Sequence, residues 1–141
     1  MLPLRFAAGW RTASLILLIL VLVAMLIPAG WFVPEKQKLA SWFGEADKWL
    51  HGLTFLVLAL WFAGQYGTDS YWRIAIGLLA FGGLIEVTQN MVEYRSGEWF
   101  DMLANVVGIG AGLAIALLGP GGWCLWVEQR FVPAEVEPGG D

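Results

Sequence analysis

The chain has 141 residues, 58% of them hydrophobic and only 14% charged, with a formal net charge of −4. A soluble domain carries about 25% charge, so this composition excludes an ordinary water-soluble globule and favours the bilayer as solvent. No basic run is present, which excludes nucleic acid as a partner, and the lone Cys124 excludes an internal disulfide or a Cys-rich metal site.

A membrane span needs about 20 apolar residues. After an N-terminal segment (1–12) holding Arg5 and Arg11, residues 13–33 carry no charge and form the first predicted transmembrane helix. The stretch is longer than a signal-peptide core and no strong small-x-small cleavage site follows it, so it reads as a retained helix. Loop 1 occupies 34–48. The second helix is expected over 49–66 and ends in Gly67-Thr68-Asp69-Ser70, a turn signal. The third is expected over 73–92. Only twelve residues, 74–85, separate Arg73 from Glu86. At 1.5 Å each they cover about 18 Å, too little for a hydrocarbon core of about 30 Å. The span must therefore run on through Glu86 and Gln89. The fourth helix is expected over 101–118, halted by Gly119-Pro120-Gly121-Gly122. An interfacial segment and a disordered acidic tail fill 119–141. The expected fold is an all-α, multi-pass membrane bundle of four transmembrane helices. All nine tryptophans fall at or near expected helix ends, as aromatic belts at the membrane interface do.

Four spans put loop 1 and loop 3 (93–100) at one membrane face. Asp47, Lys48 and His51 enter the second helix there, Glu86 and Gln89 leave the third, Arg95 sits in the loop, and Asp101 and Asn105 open the fourth. At about 100° per residue, Asp101, Asn105, Gly108 and Gly112 share one stripe within about 60°. The small-xxx-small spacing of Gly108 and Gly112 permits close helix approach. With Gly82 one turn from Glu86, a close contact between the third and fourth helices is expected. The opposite face offers only Asp69, Arg73 and the termini. Lys and Arg divide four to each side, Arg5, Arg11, Arg73 and Arg130 against Lys36, Lys38, Lys48 and Arg95. The first helix usually sets orientation, which favours a cytoplasmic N-terminus and places the polar cluster on the outer face.

The set Asp47-Lys48-x-x-His51, Gly82-x-x-x-Glu86-x-x-Gln89, Arg95 and Asp101-x-x-x-Asn105-x-x-Gly108 resembles the VanZ-like family, named for an accessory membrane protein of teicoplanin resistance. The resemblance covers about 47–118, half of the chain, with the predicted VanZ-like core at 49–118. It implies a small multi-pass protein of the bacterial cytoplasmic membrane with a poorly defined molecular activity, and it does not imply that this chain confers resistance.

Intramembrane ionisable residues mark functional sites by default because they are expensive to insert. The blander reading is structural: Gln89, Asp101 and Asn105 hydrogen-bond across helices, Asp47 and Lys48 form a solvated pair, and Gly82, Gly108 and Gly112 serve packing. A site for an envelope lipid or a glycopeptide-type ligand would use Asp47, Lys48, His51, Glu86, Gln89, Arg95, Asp101 and Asn105. Arg95 supplies a planar fork for phosphate or carboxylate, and His51 can move a proton near neutrality. The preferred expectation is therefore ligand binding without catalysis. The alternative is a membrane-embedded transferase or hydrolase acting on a lipid head group, with His51, Glu86 and Asp101 as candidate catalytic residues; no nucleophile elbow, phosphatase signature or HExxH motif commits to it. A metal held by Asp47, His51, Glu86 and Asp101 would rest on a lone histidine and scattered carboxylates, so no metal or other cofactor is expected. A full conduction path within one protomer is disfavoured because nothing polar continues to the opposite face, whereas a lipid-moving groove stays open. The expected partners are membrane lipids and a lipid-linked or glycopeptide ligand. Cys124 reads as a small apolar residue near the last membrane end, with palmitoylation as the alternative.

Overall fold

The computed structural model describes residues 1–26, 40–91 and 99–131, with side chains for 1–26, 49–91 and 100–131. Its elements in order are α1 (Ala7–Leu26), α2 (Ala40–Ala63), a 3-10 turn (Thr68–Ser70), α3 (Tyr71–Asn90), α4 (Trp99–Leu118) and α5 (Trp123–Phe131). No strand occurs among the described residues. The end of the expected first span (27–33), most of loop 1, residues 92–98 with Arg95, and the acidic tail from 132 lie outside the described residues. Asp47 and Lys48 lie on the first half of α2, and their side chains are likewise outside the description.

Among the described residues three helices are long and apolar enough to cross a membrane: Ala7–Leu26, Thr68–Asn90 and Phe100–Leu118. The apolar part of α2, Trp49–Ala63, is shorter. Leu15, Ile19, Leu20, Val23, Leu53, Ile76, Val87 and Val107 are all exposed, while His51, Gln65, Glu86, Gln89, Asp101 and Asn105 are buried. Apolar residues outward and polar residues inward is the pattern expected where lipid takes the place of water.

Boundaries moved where local chemistry differs from hydropathy. α1 begins six residues before the expected 13 because a carboxylate elsewhere in the chain receives the two amides just ahead of it, described below, and because Arg11 projects outward. α2 begins at residue 40, inside the expected loop 1, and closes at Ala63 rather than 66. There Gln65 N–H turns back to the Phe62 carbonyl at 2.9 Å. α3 runs through Glu86 and Gln89, as the length arithmetic required. α4 stops at the Gly-Pro-Gly-Gly run, and Gly122 takes a left-handed φ of 75°, a conformation glycine adopts without steric cost. The chain then reverses into α5, a helix not anticipated within 119–141.

The closest helix pair is α2 with α4, not α3 with α4. A Cβ on Gly108 would collide with the Gly52 carbonyl of α2, and one on Gly112 would sit 2.6 Å from the Leu56 carbonyl oxygen. Gly52 faces Gly108 and Leu56 faces Gly112, so α2 and α4 run parallel at backbone-to-backbone distance. The glycine stripe was correctly read as a contact surface, but its partner is α2. Gly82 of α3 faces side chains instead, with an added Cβ lying 2.9 Å from Asn105 Nδ2 and 3.2 Å from Phe55 Cζ. Around this pair, Phe55, Leu58, Ile74, Leu78, Ile85 and Ile109 form the core.

Candidate functional site

α2 and α4 enter side by side, and α3 arrives antiparallel to both, bringing His51, Glu86, Asp101 and Asn105 together. His51 and Asn105 are fully buried, and Glu86, Gln89 and Asp101 are each at most 8% exposed. His51 Nδ1 lies 3.2 Å from Asn105 Oδ1 and 3.9 Å from Glu86 Oε1. The Asn105 amide oxygen accepts from Nδ1–H, and in that neutral tautomer Nε2 is left as an acceptor. Among the described residues that Nε2 has no hydrogen-bond partner, and neither do Gln89 Oε1 and Asn105 Nδ2. One ligating atom each from His51, Glu86 and Asp101 lies within 4.8 Å of the others. Neither carboxylate is isolated, since Glu86 and Asp101 each have further interactions.

The sequence-predicted residues thus divide. His51, Glu86, Asp101 and Asn105 converge. Gln89 is buried close by, but its Nε2 donates to the Met25 carbonyl at 2.8 Å. That carbonyl is in the last turn of α1, where backbone acceptors lack intrahelical partners, so Gln89 ties α1 to α3. Gly108 and Gly112 bring α4 onto α2, and Gly82 leaves the space that Asn105 fills. Arg95 and the side chains of Asp47 and Lys48 fall outside the described residues. The convergence of one imidazole with two carboxylates also supplies the metal-type donor set for which scattered positions in the sequence made only a weak case.

A second polar assembly sits at the far end of the bundle, which the sequence reading had left with Asp69, Arg73 and the termini. Glu128 of α5 accepts the Arg5 amide at 2.7 Å, the Phe6 amide at 3.0 Å and the Trp10 indole at 2.8 Å. Burial pushes the Glu128 carboxyl up, but the Phe6 and Arg5 amides, the Trp10 indole and the Arg5 charge outweigh it and leave the pKa below the usual glutamate value. Ser14 Oγ accepts from Trp61 Nε1 and Gln65 Nε2, both at 2.9 Å. Trp10, Trp61 and Trp123 pack edge to face, with centroids 5.5–5.7 Å apart. These three indoles therefore serve an internal contact, whereas Trp49, Trp72 and Trp126 are exposed as belt residues would be. The Glu128 and Ser14 contacts join different parts of the chain, and the assembly reads as a fastening of α1 to α2 and α5. Cys124 is fully buried beside it, with burial and the Glu128 charge pushing its thiol up to about 12, which removes it from acylation chemistry. Ser14 within an apolar run and Gln65 at a helix end were the available signals for this assembly.

A cavity of about 350 Å³ opens between α1, α2 and α3, lined by Leu18, Phe62, Tyr66, Arg73, Ile74 and Phe81. It includes none of the His51–Glu86–Asp101 group. No family model, curated protein or solved structure matches the chain.

Proposed function

We propose that this chain is a four-span protein of the bacterial cytoplasmic membrane that binds the polar head of an envelope lipid or glycopeptide-type ligand at the His51–Glu86–Asp101 centre, on the outer face, with its N-terminus in the cytoplasm. The carrying observation is that three ionisable side chains from three helices are buried within 4.8 Å of one another. Charged groups at membrane depth are costly and packing alone does not require three of them. A crossing α2 is supported by its 24 residues, about 36 Å of helix at 1.5 Å per residue, and by its parallel packing on α4. The resemblance of 47–118 to VanZ-like proteins supports the envelope setting, and Arg95, next to this centre in sequence, supplies the phosphate-binding fork.

The test is lipid analysis of native protein purified in mild detergent, beside Glu86→Gln, Asp101→Asn and Arg95→Ala. A lipid class enriched on the native chain and depleted in all three variants is the expected result. Identical profiles from monodisperse proteins would remove this function.

The unspent Nε2 of His51 favours one second reading, head-group transfer or hydrolysis with His51 as general base. Turnover of a lipid fraction that persists unchanged in His51→Ala and Glu86→Gln would end it.

A further inference from the structure

We infer that His51, Glu86 and Asp101 form a binding site for one divalent first-row cation. The inference deepens the head-group reading and rests on it for the ion's purpose.

The donor set comes first. An imidazole and two carboxylates suit Zn²⁺, Mn²⁺ or Fe²⁺ better than a thiol-free, histidine-free oxygen cage would, and less hard ions than Mg²⁺ favour such mixed N/O sites. Ligand bonds of about 2.0–2.2 Å place donors up to roughly 4 Å apart across one ion. One donor atom from each of the three residues already lies within 4.8 Å of the others, a spread that side-chain rotation can contract.

The second observation is independent of the acids. His51 is fully buried and held through Nδ1 by Asn105, yet its Nε2 has no partner among the described residues. A metal-binding histidine characteristically spends one ring nitrogen on an outer hydrogen bond, which fixes the tautomer and leaves a lone pair on the other. A structural histidine in a membrane core would be expected to satisfy both, since an unmade buried hydrogen bond costs about 1–3 kcal/mol.

Charge supplies the third argument. Two ionised carboxylates match a divalent ion in formal charge, so a loaded site places little net charge in a medium of low dielectric. Three protein ligands leave coordination positions on the ion open to a phosphate. The ion thus reconciles an acidic centre with an anionic head group.

The experiment uses tag-free, full-length protein in detergent, stripped with chelator and dialysed against Zn²⁺ or Mn²⁺, with bound metal measured by elemental analysis. One ion per chain is expected. Glu86→Gln and Asp101→Asn should lose it, Asn105→Ala should weaken it by about 10–100-fold, and Asp69→Asn, an exposed acid at the other end, should retain it. Should a variant fail to fold, Co²⁺ added to the native protein reads the same site: a visible ligand-field band that Zn²⁺ abolishes supports the inference, and the spectrum of the hydrated ion alone overturns it. Absence of stoichiometric metal, or equal retention by native protein and both carboxylate variants, also overturns it. Retention of phosphatidylglycerol from vesicles, compared with and without metal, judges the head-group reading separately. Metal without lipid would leave the cation site standing and end that reading; lipid without metal would do the reverse.

Discussion

Replacing Gly112 with alanine adds one methyl group where the structure has no space for it. The new Cβ would stand 2.6 Å from the Leu56 carbonyl oxygen and 2.7 Å from Ala59 Cβ, against ordinary contacts of 3.4–4 Å. Relief requires α2 and α4 to part by about 1 Å, and the obstacle is backbone, which cannot rotate away. Overpacking of this kind costs about 1–3 kcal/mol. Gly110, two positions along the same helix, has nothing within 4 Å of its would-be Cβ. There the alanine should be neutral or stabilise by about 0.5–1 kcal/mol through the lower helix propensity of glycine. Gly82→Ala should fall between, since Asn105 and Phe55 side chains can move. Thermal unfolding of the three variants in one detergent, followed by monodispersity and tryptophan emission, gives the ranking. Equal loss at positions 110 and 112, or no loss at 112, would refute the parallel α2–α4 register and with it the geometry that brings His51 to Asp101.

Asn105→Leu removes the acceptor from a buried His51 N–H and should destabilise by about 1–3 kcal/mol, measured on the same thermal scale; a neutral result would mean the imidazole is not held through Nδ1. The depressed pKa of Glu128 makes its contribution present above the ordinary glutamate pKa of about 4.3 and lost as pH falls through the lower folded value. Glu128→Gln should therefore flatten the acid side of the stability–pH profile, and parallel profiles would remove that linkage. Cys124, fully buried with its thiol at about 12, should resist maleimide in folded protein at about pH 8, where an ordinary thiol reacts, and label fully once unfolded in SDS.

Much of this arrangement was readable from residue spacing, and what was not has a physical reason. Glu86 was placed inside the third helix by length alone, because residues 74–85 cannot cross a membrane. The convergence of His51, Glu86, Asp101 and Asn105 followed from counting spans, and the structure brings those four together. Gly108 and Gly112 announced that some backbone comes close without saying which, because a small-residue stripe carries no signature of its partner. The preference for α3 followed from Gly82 lying one turn from Glu86, whereas that glycine faces the Asn105 and Phe55 side chains and the backbone pair is α2 with α4. The extended starts of α1 and α2 escaped hydropathy because a charge ends an apolar run but does not end a helix. Glu128 was invisible for a similar reason. In sequence it is one acid near an acidic tail, and only the fold reveals that it receives the amides of residues 123 and 122 positions earlier.

That link bears on how the protein is made. Of the described helices α1 is synthesised first, yet the group that receives the Arg5 and Phe6 amides leading into it is among the last of the described residues to be made. Its other end is tied by Gln89 to the Met25 carbonyl across 64 positions. The entry into α1 is thus fastened late, and a chain halted before α5 would leave the Arg5 and Phe6 amides and the Trp10 indole without their carboxylate. Truncation ahead of Glu128 should register at the opposite terminus, as protease sensitivity around Arg5 in chains that have otherwise inserted.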